Sequence, residues 1–235
     1  MRVLVVTAVP VERDAVTRAF GGTPETVALP GAELHRLGAF DVVAGGAGPA
    51  AAAAATAFAL ASASVPYGLV VSAGIGGAFT PLTPLGSLVV ASDIVAADLG
   101  ADTPDGFLPV TALGFGRDRF APPPALVRKV AAAAGAAPGP VLTVSTVTGT
   151  AERAGALLAA HPGALAEAME GFGVAEAAAR AEVPVLELRA VSNAVGPRDR
   201  DAWRIGDALA ALTKAFGKTA PVLEGWNRHD DRHRS

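Results

Sequence analysis

Several residues in this chain could do chemistry, and each has an ordinary reading beside a functional one. Glu12 follows Val9-Pro10-Val11, just past the first apolar run. An acid there is common helix-dipole chemistry, but a strand exit is also where a catalytic residue would stand. Two glycine-rich segments, 45–48 and 74–77, follow apolar runs of their own. They read either as tight turns or as bare backbone against which a flat ring or a sugar can lie. Met169-Glu170 sits beside Gly171, Phe172 and Gly173, an odd setting for a solvated acid. Each glycine weakens a helix by ~1 kcal/mol relative to alanine, so something is expected to approach closely there. Glu187 and Arg189 stand two apart in an apolar run and are expected to pair as a structural brace. Asn193, at the exit of that run, is a turn residue or a hydrogen-bonding reader of a ligand.

Composition removes several chemistries. The 235 residues include no cysteine, so thiolate metal sites, disulfides and a cysteine nucleophile are impossible. The histidines, His35, His161, His229 and His233, are too scattered for a metal cluster, and no metal is expected. Lys and Arg number 19 against 22 acids, for a net charge of −3; that gives no basic field for a nucleic-acid backbone. Gly46-Ala47-Gly48-Pro49-Ala50-Ala51 fits G-x-G-x-x-A, but a dinucleotide site also needs an acid about twenty residues on. The next acid is Asp93, so no cofactor is expected and the partner is a small molecule.

The elements that must position these residues follow from patterning. Apolar runs at 3–8, 41–45, 68–73, 87–95, 141–147 and 185–192 read as buried strands. Helical patterns cover 11–20, 50–64, 124–134, 151–160, 165–181 and 202–216. The last-but-one would put Glu167 and Glu170 on one helix side. Alternating short strands and helices predict an α/β fold in a single domain, with a mixed, mostly parallel central sheet covered by helices. The domain is expected over 1–224, with 225–235 a polar, flexible tail. No charge falls between Asp41 and Asp93, yet glycines and prolines cut that stretch into pieces shorter than the ~20 residues a membrane span needs. No membrane segment or signal peptide is expected, which fits a cytoplasmic protein. In such sheets ligands gather beyond the carboxyl ends of strands, where Glu12, both glycine segments, Thr146 to Thr148 and Asn193 all fall.

Taken together, Glu12, the two glycine segments, Ala168-Met169-Glu170 and Arg189-Ala190-Val191-Ser192-Asn193 resemble the nucleoside phosphorylase/nucleosidase superfamily, over roughly Met1 to Phe216, and most of all its hydrolases. The resemblance implies cleavage of an N-ribosidic bond through an oxocarbenium-like sugar. It makes Glu12 the base that deprotonates water, Glu170 the acceptor of the ribose hydroxyls and Met169 the floor beneath the sugar, with Phe172 beside it. The purine would lie near Gly74, Gly76, Gly77 and Val147. The family's adenine-cleaving members carry Asp where this chain has Asn193. An amide can donate to a 6-oxo group and accept from N7–H, so a 6-oxopurine such as hypoxanthine is the expected leaving group. Phosphorylases of the family place an arginine near the second glycine segment. Here Val71-Ser72-Ala73-Gly74 holds no cation, which favours water. Adenine-releasing nucleosidases, a purine nucleoside phosphorylase and a non-catalytic nucleoside-binding module are the alternatives. The family also implies a homodimer or larger homo-oligomer. The segment 196–203 is either a lid, with Arg198 or Arg200 meeting an acidic group on the substrate, or a solvated loop.

Overall fold

The computed structural model describes residues 1–227. Its elements run β1 (Arg2–Thr7), α1 (Pro10–Arg18), β2 (Glu25–Leu29), β3 (Ala32–Leu37), β4 (Phe40–Ala44), α2 (Pro49–Ala61), β5 (Tyr67–Ala78), β6 (Leu88–Ala96), β7 (Gly100–Thr103), β8 (Gly106–Pro109), β9 (Arg119–Phe120), α3 (Pro124–Ala134), β10 (Ala137–Thr143), α4 (Ala151–Ala160), β11 (Ala166–Ala168), α5 (Gly171–Arg180), β12 (Val185–Ala194) and α6 (Ile205–Gly225). The main sheet has the order β11-β10-β6-β12-β5-β1-β4-β3-β2, with β9 on β6. Among the six strands expected from patterning, β12–β6 is antiparallel and the other neighbours, β1–β4, β1–β5, β10–β6 and β12–β5, are parallel. The antiparallel β2–β3 and β3–β4 pairs make the sheet mixed.

One further pairing shapes the site. β11 is parallel to β10 but also antiparallel to the end of β5, through Ala166–Ala78 and Glu167–Gly77. This bends β5, β12, β6, β10 and β11 into a closed ring. One face of the sheet buries Val3, Val5, Val71, Leu186 and Leu188 against α1, α3 and α6; the other buries Leu4, Val6, Val70 and Val191 against α2 and α5. Alternate residues of β1 serve opposite faces, as a strand covered on both sides requires. α5 lies so close to α2 that a Cβ on Gly173 would collide with the carbonyl of Pro49.

The structure corrects several boundaries. No helix spans 165–181: residues 166–168 pair as a strand and the helix starts at Gly171. Glu167 and Glu170 therefore do not share a helix side. β5 does not stop at Ala73 but runs through the second glycine segment to Ala78. α6 continues to Gly225 with Pro221 inside it, and Trp226 is buried in the core, so packing extends past 224. The rest of the expected tail, 228–235, lies outside the described residues. Among those described, no helix is long and apolar enough to cross a membrane.

Candidate active site

A cavity of about 230 Å³ opens at the carboxyl ends of β1, β5 and β12, and Glu12, Gly76, Gly77, Val147, Met169, Glu170 and Asn193 all line it. Pockets for drug-sized ligands start near ~300 Å³, so this space suits a base and a pentose and is small for a dinucleotide. A larger cavity, about 720 Å³, lies around Tyr67, Pro184 and Trp226 at the other ends of the strands. It is bounded by Asn227, where the described residues end, and the candidate acids do not reach it.

Glu12 lies in the first turn of α1, where Pro10 starts the helix. Its Oε2 accepts from the N–H groups of Ala8 at 3.0 Å and Val9 at 3.3 Å, and its Oε1 accepts from the N–H of Ile75 at 2.8 Å. The acid is thus clamped between the end of β1 and the middle of β5. Burial pushes its carboxyl above the usual range, while the Ile75 bond and Arg189 pull it back. A carboxyl raised in this way is better matched to base catalysis near neutral pH.

Glu170, at the start of α5, accepts from the N–H of Gly48 at 3.2 Å. Gly48 has φ +92° and ψ 160°, a region essentially confined to glycine. The donor at the tip of the G-x-G-x-x-A turn is therefore spent on a side chain of this chain rather than on a phosphate. The other oxygen of Glu170 lies 3.2 Å from Nη1 of Arg189.

Arg189 ties the site together. It is fully buried, donates from Nε to Glu187 at 2.9 Å and from Nη2 to the Ser72 hydroxyl at 3.0 Å. The expected Glu187–Arg189 pair exists, but the brace extends to Glu170 and to the neighbourhood of Glu12. Gly74 shows how tightly: a Cβ there would stand 2.7 Å from Glu12 Oε1 and 2.8 Å from Arg189 Nη1. Gly74 accordingly sits behind the acids and does not line the cavity. Gly74→Ala is expected to push the two charged groups apart and to lower turnover at least tenfold, measured as initial rate on the folded variant. Gly171 has the same logic, since a Cβ there would strike the Glu187 carboxylate. This is the close approach that the two glycines of that motif implied.

Asn193 is half-buried near the end of β12. Its Oδ1 accepts from the Ser192 hydroxyl at 2.8 Å and its Nδ2 donates to the Ala194 carbonyl at 2.9 Å. One N–H and one lone pair stay available to a ligand. Phe172 is a correction: it lies outside the cavity, packed on Phe120 with ring centres 5.2 Å apart, and its N–H donates to Thr143 Oγ1. The first turn of α5 carries it away from Glu170 into the core. Glu167, Thr148 and Trp203 also line the cavity; Thr148 falls in the strand-exit stretch 146–148 and Trp203 in the segment 196–203 weighed as a lid, whereas patterning missed Glu167. Glu167 was hidden by the expectation of a helix; Trp203 follows a proline- and charge-rich segment with no periodicity. Arg198 and Arg200 stack on Trp203, 5.1 and 5.8 Å from its ring centre.

Among the described residues no Lys or Arg lines the cavity. Arg13, next to Glu12 in sequence, is engaged with Asp14 and Glu33 at 2.9 and 2.8 Å. A dianion would find no guanidinium fork here, so the geometry suits water as the attacking group.

The profile of the phosphorylase superfamily matches residues 2–224, and the chain belongs to that family. A futalosine hydrolase of Streptomyces coelicolor is 67% identical over 98% of this chain and 100% of its own length. A second futalosine hydrolase, from Acidothermus cellulolyticus, is 46% identical over 91% of this chain and 88% of its length. Among solved structures, the 5′-methylthioadenosine/S-adenosylhomocysteine nucleosidase of Helicobacter pylori with butyl-thio-DADMe-Immucillin-A aligns with a TM-score of 0.82. At 19% identity, over 94% of this chain and 98% of that one, it shares the fold.

Proposed function

We propose that this chain is an N-glycosyl hydrolase that cleaves the N-ribosidic bond of futalosine, releasing hypoxanthine. The observation that carries the reading is one cavity in which Glu12 and Glu170 face a common space and share Arg189, with an amide at position 193. The relatives at 67% and 46% identity support the substrate. Glu12 takes a proton from water, whose oxygen bonds C1′ of the ribose as the C1′–N9 bond breaks. Glu170, held by Gly48 and Arg189, accepts hydrogen bonds from the 2′- and 3′-hydroxyls and stabilises the cationic sugar, and Met169 packs beneath it. The bond pair leaves with the purine, which takes up a proton at N7 from solvent while Glu12 returns its own to solvent; Asn193 donates to O6 of the departing base and accepts from that N7–H. A step in menaquinone biosynthesis and a cytoplasmic setting belong to the same proposal.

Hypoxanthine release from futalosine in phosphate-free buffer tests it. Strict dependence on added phosphate would move the chain to the phosphorylases, and tight binding without turnover would make it a nucleoside-binding module. Asn193→Asp is expected to shift preference toward 6-aminopurines, because an acid at that position can accept from a 6-amino group. Unchanged relative rates on methylthioadenosine and futalosine would refute the role given to that residue. The double variant Arg198→Ala/Arg200→Ala is expected to bind futalosine more weakly, since a guanidinium beside Trp203 meets its carboxylate in this reading.

The proposal extends to a homodimer or larger homo-oligomer. Leu99, Leu108, Leu113 and Phe115 are exposed around the β7–β8 hairpin and the loop after it, an apolar patch that a second copy would cover.

A further inference from the structure

The sugar chemistry leaves one acid of the cavity unused. Glu167 is 5% exposed and lines the cavity with Asn193. Its Oε1 accepts from the backbone N–H of Thr148 at 2.9 Å, and its Oε2 accepts from the Thr148 hydroxyl. A carboxylate has about four acceptor sites, so these two bonds leave roughly half of them open. Burial works against its charge and raises its carboxyl, and the Thr148 bonds pull the other way. A buried acid costs stability unless its lone pairs are used, and bracing one turn takes only part of its capacity.

Its place in the sheet shows what else it can reach. Glu167 of β11 is in register with Gly77 of β5, and Asn193 of β12 is in register with the same Gly77 from the opposite side. The middle position is bare. A Cβ on Gly77 would stand 3.2 Å from the Asn193 amide nitrogen and 2.9 Å from Val195. Three strands thus set a carboxylate and an amide to either side of a strip of backbone. Gly77 lies two residues beyond Ile75, the donor to Glu12, or about 7 Å along the strand at roughly 3.3 Å per residue. That is the scale of a purine stretching away from its glycosidic carbon.

A 6-oxopurine presents an acceptor, O6, next to a donor, N1–H. Asn193 supplies the donor for O6 and cannot also accept from N1–H. We propose that Glu167 is a specificity-determining residue whose carboxylate accepts the N1–H of the 6-oxopurine, so that the base is read by an acid and an amide across Gly77. This rests on the hydrolysis reading above and adds the second half of base recognition to it. A 6-aminopurine carries a lone pair at N1. Facing Glu167, it would leave two acceptors opposed in a buried site, an arrangement that discriminates strongly.

The test compares kcat/KM for futalosine, its 6-amino analogue and its N1-methyl analogue. Wild-type enzyme is expected to lose at least a hundredfold on N1-methylation. Glu167→Gln offers an N–H toward N1, so the ratio of 6-oxo to 6-amino turnover is expected to fall at least tenfold. A residue that only braces the Thr148 turn would slow both substrates by one factor, and that result overturns the inference. Should the variant fail to fold, the wild type decides alone: N1-methyl futalosine cleaved as fast as futalosine also overturns it. If wild-type enzyme leaves futalosine uncleaved, the hydrolysis reading falls separately. Calorimetric binding of free hypoxanthine against 1-methylhypoxanthine then decides the point, and equal affinities refute it.

Discussion

Glu12→Gln is expected to reduce kcat by about two to four orders of magnitude, the usual contribution of a positioned general base, with the fold intact. The amide has the shape of the acid, and a carbonyl oxygen can still accept from Ile75. It cannot take a proton from water. The pH profile separates this role from simple positioning. Burial holds the Glu12 carboxyl above the ordinary carboxylate range, and the base must be ionised to act. The wild-type rate should therefore rise with pH through that elevated value, and the acid limb should vanish from the residual activity of the variant. Near-normal turnover, or an unchanged acid limb, would remove Glu12 from the reaction.

Arg189→Met is expected to cost about 3–5 kcal/mol of stability, the range for removing one partner of a buried ion pair, out of the 5–15 kcal/mol typical of whole domains. Methionine replaces most of the stem and none of the charge. Glu187 and Glu170, both buried, lose their guanidinium, and Glu12 loses its attraction. The second oxygen of Glu187 already lacks a hydrogen-bond partner, so that acid has nothing else to lean on. Loss of the cation raises the Glu12 and Glu187 carboxyls further. A carboxyl whose value in the folded chain exceeds its unfolded value binds an extra proton on folding, so stability grows as pH falls through the folded value. The deficit should be largest near pH 7 and shrink toward pH 5. Urea unfolding at the two pH values measures it, and an equal deficit at both would refute the electrostatic account.

Much of the frame was legible because buried strands and amphipathic helices leave periodic marks. The helices at 124–134 and 151–160 match α3 and α4 residue for residue. The failures have physical causes. β5 continues through 74–77 because its backbone pairs with β12 and β11; glycines carry no side chains, so that part of the strand has no hydrophobic pattern to read. Residues 166–168 lie in an alanine-rich stretch with high helix propensity, which pairing with two strands overrides. The reach of Arg189 is likewise a fact of three dimensions: in the chain it is paired with Glu187, and only folding brings Glu170 and Ser72 to it. Glu12 and Asn193 were recognisable because residue type and strand-exit position coincide there, and Glu170 because Gly171, Phe172 and Gly173 beside it are an odd setting for a solvated acid. Glu167 was not, because its setting was misread as a helix.

The long β5 strand has a consequence for how such a site can change over generations. Ile75, whose N–H holds Glu12, and Gly77, which lies in register between Glu167 and Asn193, are two residues apart on one ribbon. A mutation that shifts this ribbon disturbs reactivity and selectivity at once. New substrates are therefore more accessible through replacements on the flanking strands, at positions such as 167 and 193, which leave the ribbon where it is. Divergence within the family should accumulate on the neighbours of β5 while its glycines stay in place.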